Sequence, residues 1–344
     1  MKKVVYIIIF FFFIIGIAIG FYMYKTFYEP NTLFNEESVF VTIPTNSTKN
    51  QLLDTLTNYV KDLSKFSKAA KYKEYFSKIR PGRYRLNNGF NNNQIINSLR
   101  SNNLPVKITY NNIETFNDLI KRISEKIEAD SLSLSNAFYE KNFLNELGLD
   151  EESVFSLFIP NTYEFFWNTN AIQFRERILK EFDRFWNDSR IEKSKKVNLN
   201  PIEVMTLASI VQKETPKVDE RPTIAGVYLN RLERNMKLQA DPTVVYSIKK
   251  RDGFDTKIRR VLYKDLRIKS PFNTYVYKGL PPAPIVTPDI SAIEAVLNPQ
   301  KHSFIYFVAD VSNPGYHLFS RTNAEHNRKK RQYTNWLKKN KIRR

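Results

Sequence analysis

Cysteine is absent from this chain of 344 residues, and histidine is scarce. The lack of cysteine excludes disulfide bonds, thiolate zinc sites and a thiol nucleophile. The three histidines, His302, His317 and His326, are too few to favour a histidine-rich metal site. We therefore expect a protein that uses no metal ion and no cofactor. The absence of cysteine also fits a location outside the cytoplasm, without establishing it.

Charge is missing from residues 4–24, a run of mostly apolar residues. The run is long enough to cross a hydrocarbon core of ~30 Å. No small-residue cleavage pattern follows it, so we interpret it as an uncleaved signal anchor. Lys2 and Lys3 precede the run, whereas residues 25–37 carry three glutamates against one lysine. This asymmetry predicts that residues 1–25 are a cytoplasmic tip and membrane anchor, that 26–37 form a linker, and that the rest lies outside.

Acidic residues are outnumbered, 35 against 54 basic ones, for a net charge of +19. Charge alone would suggest nucleic acid, but the anchor and the lack of an alternating basic and aromatic groove argue against it. We predict no nucleic-acid partner and favour anionic lipid or cell-wall polymers. The densest basic segment, 328–344, contains no acid. It is predicted to be a basic tail, with a solvated terminal helix as the alternative.

Residues 38–127 are predicted to form an α+β module with a repeated plan. At residue 39 the segment VFVTIPTNSTKNQLLDTLTNYV alternates like a strand and then takes a helical period. VKITYNNIETFNDLIKRISEKI repeats the pattern from residue 106, with Asn46 or Asn112 in the turn. Between the copies we expect a turn, a short strand around Tyr84 and a helix that ends near Arg100.

The next region is predicted to be mostly helical. Residues 130–150 suggest a helical pair, and 158–169 an aromatic loop in which Glu164 is an alternative acid. An amphipathic helix is expected over 171–187, before a polar connector at 192–196. Its inward residues would be Ile172, Ile178, Leu179, Phe182 and Phe185.

The central stretch, 200–248, begins with a well-marked helix. Asn200 can cap it and a proline fits its first position. Leu207, Ile210, Val211 and Glu214 then share one face, and a proline at 216 ends the helix. Burial and the negative end of the helix dipole would both disfavour the charged carboxylate of Glu214. It could therefore stay protonated and act as a general acid, although a solvated helix end is the simpler alternative.

Several blocks of sequence resemble one family. LASIVQKET, DERPTIAGVYLNRL and LQADPTVVYS follow one another, and FIPNTYEF, SPFNTYVYKGLPPAPI, YFVAD and HLFSRTNAEHN agree in order. Together, over 159–327, they are similar to the endolytic murein transglycosylases (MltG, YceG-like proteins). The resemblance implies an α+β fold with a transmembrane helix, a LysM-like module over 38–127 and a YceG-like catalytic domain over 128–327. It also implies a single-pass protein of the cell inner membrane with the catalytic domain in the periplasm.

The activity implied by this resemblance is non-hydrolytic cleavage of the MurNAc–GlcNAc β-1,4 bond of nascent glycan strands, leaving 1,6-anhydro-MurNAc ends. One carboxyl can protonate the leaving oxygen and then deprotonate the C6 hydroxyl, whereas hydrolases normally need two carboxyls. Glu214 is our predicted general acid and base. Many members carry Glu-Lys-Glu here, but this chain has Gln212 at the first position. Glu220 is the alternative, although an ion pair with Arg221 would keep it charged.

A set of polar side chains is predicted to bind the sugar. Asp241, in an extended or turn setting before a proline, could orient hydroxyls or stabilise positive charge at C1. The other predicted binding residues are Asn230, Gln239 and Thr243 on the same cleft wall, and Asn273 and Tyr275 in an ordered loop over 270–285. Residues 305–310 are expected to form a buried strand.

The expected partners are peptidoglycan glycan strands, the membrane through residues 4–24, and peptidoglycan synthases. The roles of His317 and His326 stay open at this stage. A non-catalytic peptidoglycan-binding scaffold of the wall-synthesis machinery is the alternative function.

Overall fold

Helices form most of the structure, and strands pair only in twos. The computed structural model describes residues 2–101 and 103–340, which contain fourteen α-helices and six strands. The helices are α1 (Lys2–Tyr28), α2 (Lys49–Leu56), α3 (Leu63–Tyr72), α4 (Asn92–Arg100), α5 (Phe116–Ser124), α6 (Ser131–Phe138), α7 (Lys141–Leu147), α8 (Ala171–Phe185), α9 (Asp188–Lys196), α10 (Pro201–Glu214), α11 (Arg221–Glu233), α12 (Asp241–Asp252), α13 (Ile290–Leu297) and α14 (Asn323–Lys339). The strands are β1 (Ser38–Ile43), β2 (Gly82–Asn87), β3 (Pro105–Tyr110), β4 (Asn161–Phe166), β5 (Tyr306–Ala309) and β6 (His317–Ser320).

The strand pairs are β1–β2, β3–β4 and β5–β6 among the described residues. This arrangement confirms the predicted mixture of helix and sheet. The chain folds as two units. The first comprises the residues up to Ile108 with Ser124–Asp130 and Tyr163–Asn170, and the second comprises Thr109–Ile123, Ser131–Thr162 and the chain from Ala171 on. The predicted boundary after residue 127 does not coincide with this division, because the second strand–turn–helix segment is shared between the units.

The first unit contains the predicted strand–turn–helix and the elements expected after it. β1 pairs antiparallel with β2, from Ser38 opposite Asn87 to Ile43 opposite Gly82. Asn46 turns the chain with a positive φ of 59°, and a capping box of Thr48 and Gln51 starts α2. The inward faces of β1, β2, α2, α3 and α4 form one apolar core, which includes Val41, Ile43, Leu52, Leu56, Phe66, Tyr75, Tyr84, Leu86, Ile95, Ile96 and Leu99.

The predicted linker, 26–37, is packed against this unit. Helix α1 continues to Tyr28 and contacts α3 and α4. Nδ2 of the buried Asn31 donates to Oδ1 of Asn92 at 2.7 Å, and Nδ2 of Asn92 donates to the carbonyl of Thr26 at 2.8 Å. These buried polar groups satisfy one another, so the chain that leaves α1 is held in place.

The second unit is built around α10. Its N-terminus is as predicted, with Asn200 accepting from the backbone of Glu203 in a capping box and Pro201 in the first turn. Every residue from 204 to 211 is buried, so the helix is apolar on all sides and is enclosed by α9, α11, α12 and α13. Its neighbours supply the rest of this core, among them Ile224, Ala225, Tyr228, Leu238, Phe272, Ile285, Ile293 and Val296. Glu214 therefore lies at the end of a helix that its neighbours hold rigidly.

Several local predictions were wrong. Residues 188–196 form α9 instead of a polar connector, with Asn187 as its N-cap. The aromatic segment after Pro160 forms β4 instead of a loop. Ile172 is exposed on α8, and Phe174 takes the inward position. β5 is half-buried rather than buried, because a sheet of only two strands leaves much of each strand open.

The C-terminal basic segment is also different from the predicted tail. As far as Lys339 it belongs to α14, which starts at Asn323 and packs against β5 and β6. Thr322 caps this helix by accepting from the backbone of Glu325. The last four residues, 341–344, three of which are basic, lie outside the described residues. Most of the predicted tail is therefore a folded part of the second unit.

Candidate active site

Glu214 is the last residue of α10, as predicted from the sequence. Its Oε2 atom is buried and accepts no hydrogen bond from any residue that the structure describes. Burial is the main reason why the pKa of Glu214 is raised from 4.5 to about 8, and the negative charge of Asp241 adds to it. Tyr228 and Arg231 act in the opposite direction but do not outweigh these effects. At neutral pH the carboxyl is therefore protonated and able to donate.

Tyr228 is the buried neighbour of this carboxyl. Burial first, and then the Glu214 charge, raise the pKa of Tyr228 well above 10, so the phenol stays neutral. The two groups are close enough for Tyr228 to lower the pKa of Glu214. Even so, the Tyr228 hydroxyl forms no hydrogen bond within the described chain, and neither does Oε2 of Glu214. Two proton-carrying groups thus lie side by side.

Asp241 is held beside this pair by Tyr275. The Tyr275 hydroxyl donates to Oδ1 of Asp241 at 2.6 Å. Burial, followed by the charge of Asp241, raises the pKa of Tyr275, so the hydroxyl keeps its proton. Asp241 is the first residue of α12 and not part of an extended or turn segment, as had been predicted. At that position the helix dipole stabilises its negative charge.

Two cavities meet at Glu214 and Asp241, which line both. The first, which we call the basic cavity, has a volume of about 400 Å³. Its wall consists of Glu114, Lys213, Glu214, Asp241, Pro242, Val245, Tyr246, Lys249, Ile258, Arg259, Arg260, Val261 and Ile285. Glu114 accepts from Lys249 at 2.6 Å and from Lys213 at 3.2 Å. Burial raises the pKa of Glu114, but these two lysines outweigh it, and the net pKa is lowered.

The second, which we call the α14 cavity, has a volume of about 550 Å³. It is lined by Glu214, Arg231, Gln239, Asp241, Tyr275, Tyr306, Phe307, Val308, Ala309, His317, Asn323, His326, Asn327, Lys330 and Tyr333. The basic cavity has mainly charged and aliphatic walls, whereas this one is rich in rings and amides. The protonated carboxyl is therefore accessible from two chemically different sides.

Four of the predicted site residues come together at this junction, namely Glu214, Gln239, Asp241 and Tyr275. Gln239 lines the α14 cavity from a backbone with a positive φ of 49°, and its N–H donates to the carbonyl of Thr274 at 3.1 Å. This strained position is held by the ordered loop 270–285, which forms without helix or strand, as predicted.

The other three predicted binding residues are engaged in holding the walls. Asn230 donates to the carbonyls of His302 at 2.8 Å and Phe304 at 2.9 Å. Asn273 is fully buried and donates to the carbonyl of Ile268 at 2.8 Å. Buried Thr243 donates to the carbonyl of Ala240 at 2.7 Å, and its hydroxyl lies 2.9 Å from that of Thr274. Their polar groups therefore form hydrogen bonds within the protein.

Glu220, the alternative acid, is buried and fully paired. Its Oε1 accepts from the His317 N–H at 2.7 Å, and its Oε2 accepts from Nδ1 of His317 at 2.9 Å. The predicted ion pair with Arg221 was wrong, because Nη1 of Arg221 donates to Ser291 at 2.6 Å and lies 3.5 Å from Asp289. Glu220 is a structural carboxylate in this arrangement.

Glu164, the other alternative acid, lies on the exposed side of β4. Its Oε1 is 3.9 Å from Nζ of Lys107. Both side chains are largely exposed, so Glu164 is not enclosed as the Oε2 atom of Glu214 is. Residues 2–101 and 103–340 also contain no group of three or more histidine, aspartate and glutamate side chains able to hold a metal ion.

Tyr228 and Arg231 were missed by the sequence analysis. They lie three residues apart on one face of α11, and both are buried. Nε of Arg231 donates to the carbonyl of Ile305 at 2.6 Å, so a buried cation joins α11 to the segment before β5. The sequence did contain a signal for these two residues. It is a tyrosine and an arginine at a helical spacing of three, inside a block of apolar residues.

Gln212 connects the active helix to two other segments. Its Oε1 accepts from the N–H of Asp289, and its Nε2 lies 3.4 Å from Oδ1 of Asn112. Asn112 has a positive φ of 50° and occupies the turn of the second strand–turn–helix segment, as predicted. The amide uses both its acceptor and its donor here, which a carboxylate could not do.

The sequence of the chain matches known proteins along most of its length. A model of the YceG-like family matches residues 41–332. An endolytic murein transglycosylase of Bacillus subtilis (strain 168) is 30% identical over 335 residues, which are 91% of this chain and 90% of that protein. An endolytic murein transglycosylase of Streptococcus pneumoniae serotype 2 (strain D39 / NCTC 7466) is 37% identical over 143 residues, which are 42% of this chain and 25% of that protein.

The fold matches a solved structure as well. The 2.6 Å crystal structure of a yceG-like protein from Listeria monocytogenes aligns with a TM-score of 0.55 at 27% sequence identity. The alignment covers 86% of this chain and 99% of that one. The similarity in sequence and fold thus extends over both units.

Proposed function

This chain belongs to the YceG-like family, and we propose that it is a peptidoglycan transglycosylase that cuts inside glycan strands at the MurNAc–GlcNAc β-1,4 bond. The observation that carries the proposal is the carboxyl of Glu214 at the junction of two cavities, with a buried Oε2 atom that has no hydrogen-bond partner among the described residues. An enzyme that cuts within a polymer must bind the strand on both sides of the scissile bond. The basic cavity and the α14 cavity, which share Glu214 and Asp241, supply two such sides.

In the proposed reaction Glu214 acts first as acid and then as base. Its proton passes to the glycosidic oxygen as the C1–O bond breaks, so the leaving sugar departs with a neutral hydroxyl. The C6 hydroxyl of the MurNAc ring then attacks C1 and gives its proton to the Glu214 carboxylate. A 1,6-anhydro ring forms, no water is consumed, and the carboxyl is returned to its starting state. A pKa of about 8 suits both steps near neutral pH.

Asp241 and Tyr275 are proposed to support the transition state. Positive charge develops at C1 as the bond breaks, and a fixed carboxylate in the same cavity wall stabilises it electrostatically. The hydrogen bond from Tyr275 holds Asp241 in one orientation, so little reorganisation is needed during the reaction. Gln239 is a candidate hydrogen-bond partner for the sugar on the same side.

We also propose that α1 anchors the protein in the cell inner membrane, with the remainder in the periplasm. The helix has 27 residues, a mean hydropathy of 3.0 in its most apolar window and no part of that window buried. At about 1.5 Å per residue it is longer than a hydrocarbon core of ~30 Å. Because the chain has no cysteine, single cysteines at Lys3 or Asn88 can be tested with an impermeant thiol reagent in intact spheroplasts. Labelling of Asn88→Cys alone supports this topology, and labelling of Lys3→Cys alone reverses it.

The first unit is proposed to be a LysM-like module that positions glycan for cleavage. Its order of elements, β1–α2–α3–β2 with α4, around a single core supports a small α+β module of this kind. Peptidoglycan synthases remain the expected neighbours of an enzyme that acts on newly made strands.

The test is digestion of uncrosslinked glycan by the full-length chain in detergent, with products identified by mass. Three proteins are compared, namely the parent, Glu214→Gln, and Glu203→Gln at the other end of α10. The last makes the same chemical change where glutamine can still serve the capping box, so the helix is retained.

We expect anhydro ends from the parent and from Glu203→Gln, and none from Glu214→Gln. Reducing ends that have gained one water would overturn the lyase mechanism in favour of a hydrolase. If no protein cuts but all bind glycan, the non-catalytic scaffold replaces the enzyme.

A further inference from the structure

One face of α14 forms a wall of the cavity beside Glu214. The residues that line the α14 cavity from this helix are Asn323, His326, Asn327, Lys330 and Tyr333. Their spacing of three, four, seven and ten residues from the first one places them along a single stripe. Without this stripe, α14 would be only a basic helix exposed to solvent. The stripe gives its inner side a defined chemical surface next to the catalytic carboxyl.

The polar groups of this stripe are arranged in a row. Nδ2 of Asn327 donates to Oδ1 of Asn323 at 3.3 Å, which leaves the Asn327 carbonyl oxygen and the Asn323 amide N–H groups for a ligand. His326 stacks on Tyr306 with ring centroids 5.2 Å apart and planes inclined by 22°. The buried Nδ1 of His326 has no hydrogen-bond partner among the described residues.

Two adjacent lysines of α14 have different surroundings. Nζ of Lys329 donates to the carbonyl of Phe319 and, at 2.6 Å, to Glu325, so this lysine holds the helix to β6. Lys330 lines the cavity and forms no ion pair with any described residue. Of the two carboxyls in the same cavity, Glu214 is protonated at neutral pH and Asp241 is bound by Tyr275. The ammonium group of Lys330 therefore has no carboxylate partner among the described residues of the cavity.

We propose that this stripe of α14 is a glycan subsite that recognises the muramyl residue, with Lys330 binding its carboxylate and Asn323 and Asn327 binding its acetamido and hydroxyl groups. The proposal rests on the proposed function for the identity of the polymer. A muramyl sugar differs from the N-acetylglucosamine next to it by a lactyl group, which ends in a carboxylate wherever no peptide is attached to it. A cation beside a row of amides can distinguish the two sugars. Lys330 would thus fix which sugar lies on the α14 side of the scissile bond.

The experiment measures binding without turnover, in full-length Glu214→Gln protein in detergent, by calorimetric titration. Two ligands of equal length are used, an alternating GlcNAc–MurNAc oligosaccharide and an N-acetylchitooligosaccharide, which lacks the carboxylates. Lys330→Ala is compared with Arg331→Ala, which removes the same charge from the adjacent, exposed position outside the cavity. Asn327→Ala tests the amide row.

We expect Lys330→Ala to weaken binding of the muramyl ligand by about threefold, as for an exposed ion pair, and to leave chitooligosaccharide binding unchanged. Asn327→Ala should weaken both ligands by about fivefold, the value of one hydrogen bond. Arg331→Ala should bind both ligands as the Glu214→Gln protein without a further substitution does. Equal losses in Lys330→Ala and Arg331→Ala, or no loss in either, would overturn the subsite.

Failure of the subsite can be told from failure of the proposed function. If the Glu214 parent yields anhydro ends and Lys330→Ala binds the muramyl ligand as the parent does, only the subsite is wrong. If the parent cuts no glycan but Lys330→Ala still binds the muramyl ligand selectively less well, the subsite stands and the catalytic proposal falls.

Discussion

Two glutamates, Glu214 and Glu220, lie six residues apart and have opposite environments. Oε2 of Glu214 has no hydrogen-bond partner in the described chain, whereas both oxygens of Glu220 accept from His317. Glu214 ends α10, where the helix dipole disfavours a negative charge, and Glu220 directly precedes α11, where the dipole favours one. Each carboxyl has an oxygen enclosed by the protein, so it is the supply of partners that separates a proton donor from a structural hydrogen-bond acceptor.

The largest expected difference between the two is in catalysis. Glu214→Gln removes the group that donates and recovers the proton, and we expect the rate of glycan cleavage to fall by about 10²- to 10⁴-fold. Glu220→Gln leaves that group in place, and its rate per folded molecule should stay close to that of the parent. Initial rates of release of anhydro ends test this. Equal losses of rate in the two variants would contradict the assignment of Glu214, and not Glu220, as the proton donor.

The second difference is in stability. Glu220→Gln replaces an acceptor for two donors of His317 by an amide with one acceptor oxygen, so we expect the free energy of unfolding to fall by about 1–3 kcal/mol. Denaturant titration of the full-length protein near neutral pH measures it. His317→Gln removes the partner instead and serves as a matched variant. A Glu220→Gln protein as stable as the parent would mean that this buried pair contributes little.

The third difference has a defined pH window. Because the pKa of Glu214 is about 8 in the fold and 4.5 for an ordinary glutamate side chain, the folded state keeps a proton that the unfolded state loses between these values. The stability of the parent should fall as the pH rises from about 4.5 to about 8, and that of Glu214→Gln should not. We expect the variant to gain on the order of 4 kcal/mol over the parent by about pH 8, because each unit of pKa difference contributes about 1.4 kcal/mol. Parallel pH curves for the two proteins would contradict the raised pKa.

The smallest expected effect concerns the influence of Asp241 on the pKa of Glu214. Cleavage by a protonated Glu214 should decline as the pH rises through about 8. Asp241→Asn removes the charge that helps to raise this pKa, so the alkaline limb of the rate profile should move to lower pH. Asp252→Asn, at the far end of α12 and paired with Arg251, should leave the limb in place. Cleavage rates across the alkaline range decide between them, and a limb that Asp241→Asn leaves unmoved would show that Asp241 does not act on Glu214.

The sequence predicted those features that depend on local spacing. The capping of α10 by Asn200 and the position of Glu214 at its end follow from helical period and capping, and both are found in the structure, although the helix is buried on all sides instead of along one stripe. The predicted turn positions of Asn46 and Asn112 are found as well, and both residues have a positive φ, which asparagine tolerates. Such features involve neighbours within a few residues along the chain.

Features that depend on distant partners were missed. The partner of Glu220 lies 97 residues away, so the adjacent Arg221 was the nearer but wrong choice. Asn230 and Asn273 have the chemistry of sugar ligands, and only the structure shows that their amides are used by backbone carbonyls. The basic composition of the last segment likewise hid a helix whose inner face lines a cavity.

The hydrogen bonds that join Thr26, Asn31 and Asn92 have a consequence for how substrate is found. A flexible linker over residues 26–37 would allow its ends to separate by about 20 Å in any direction. If α1 spans the membrane, as proposed, these hydrogen bonds instead tie the height and tilt of the first unit to those of the helix. The first unit would then meet glycan strands by lateral diffusion at one distance from the membrane.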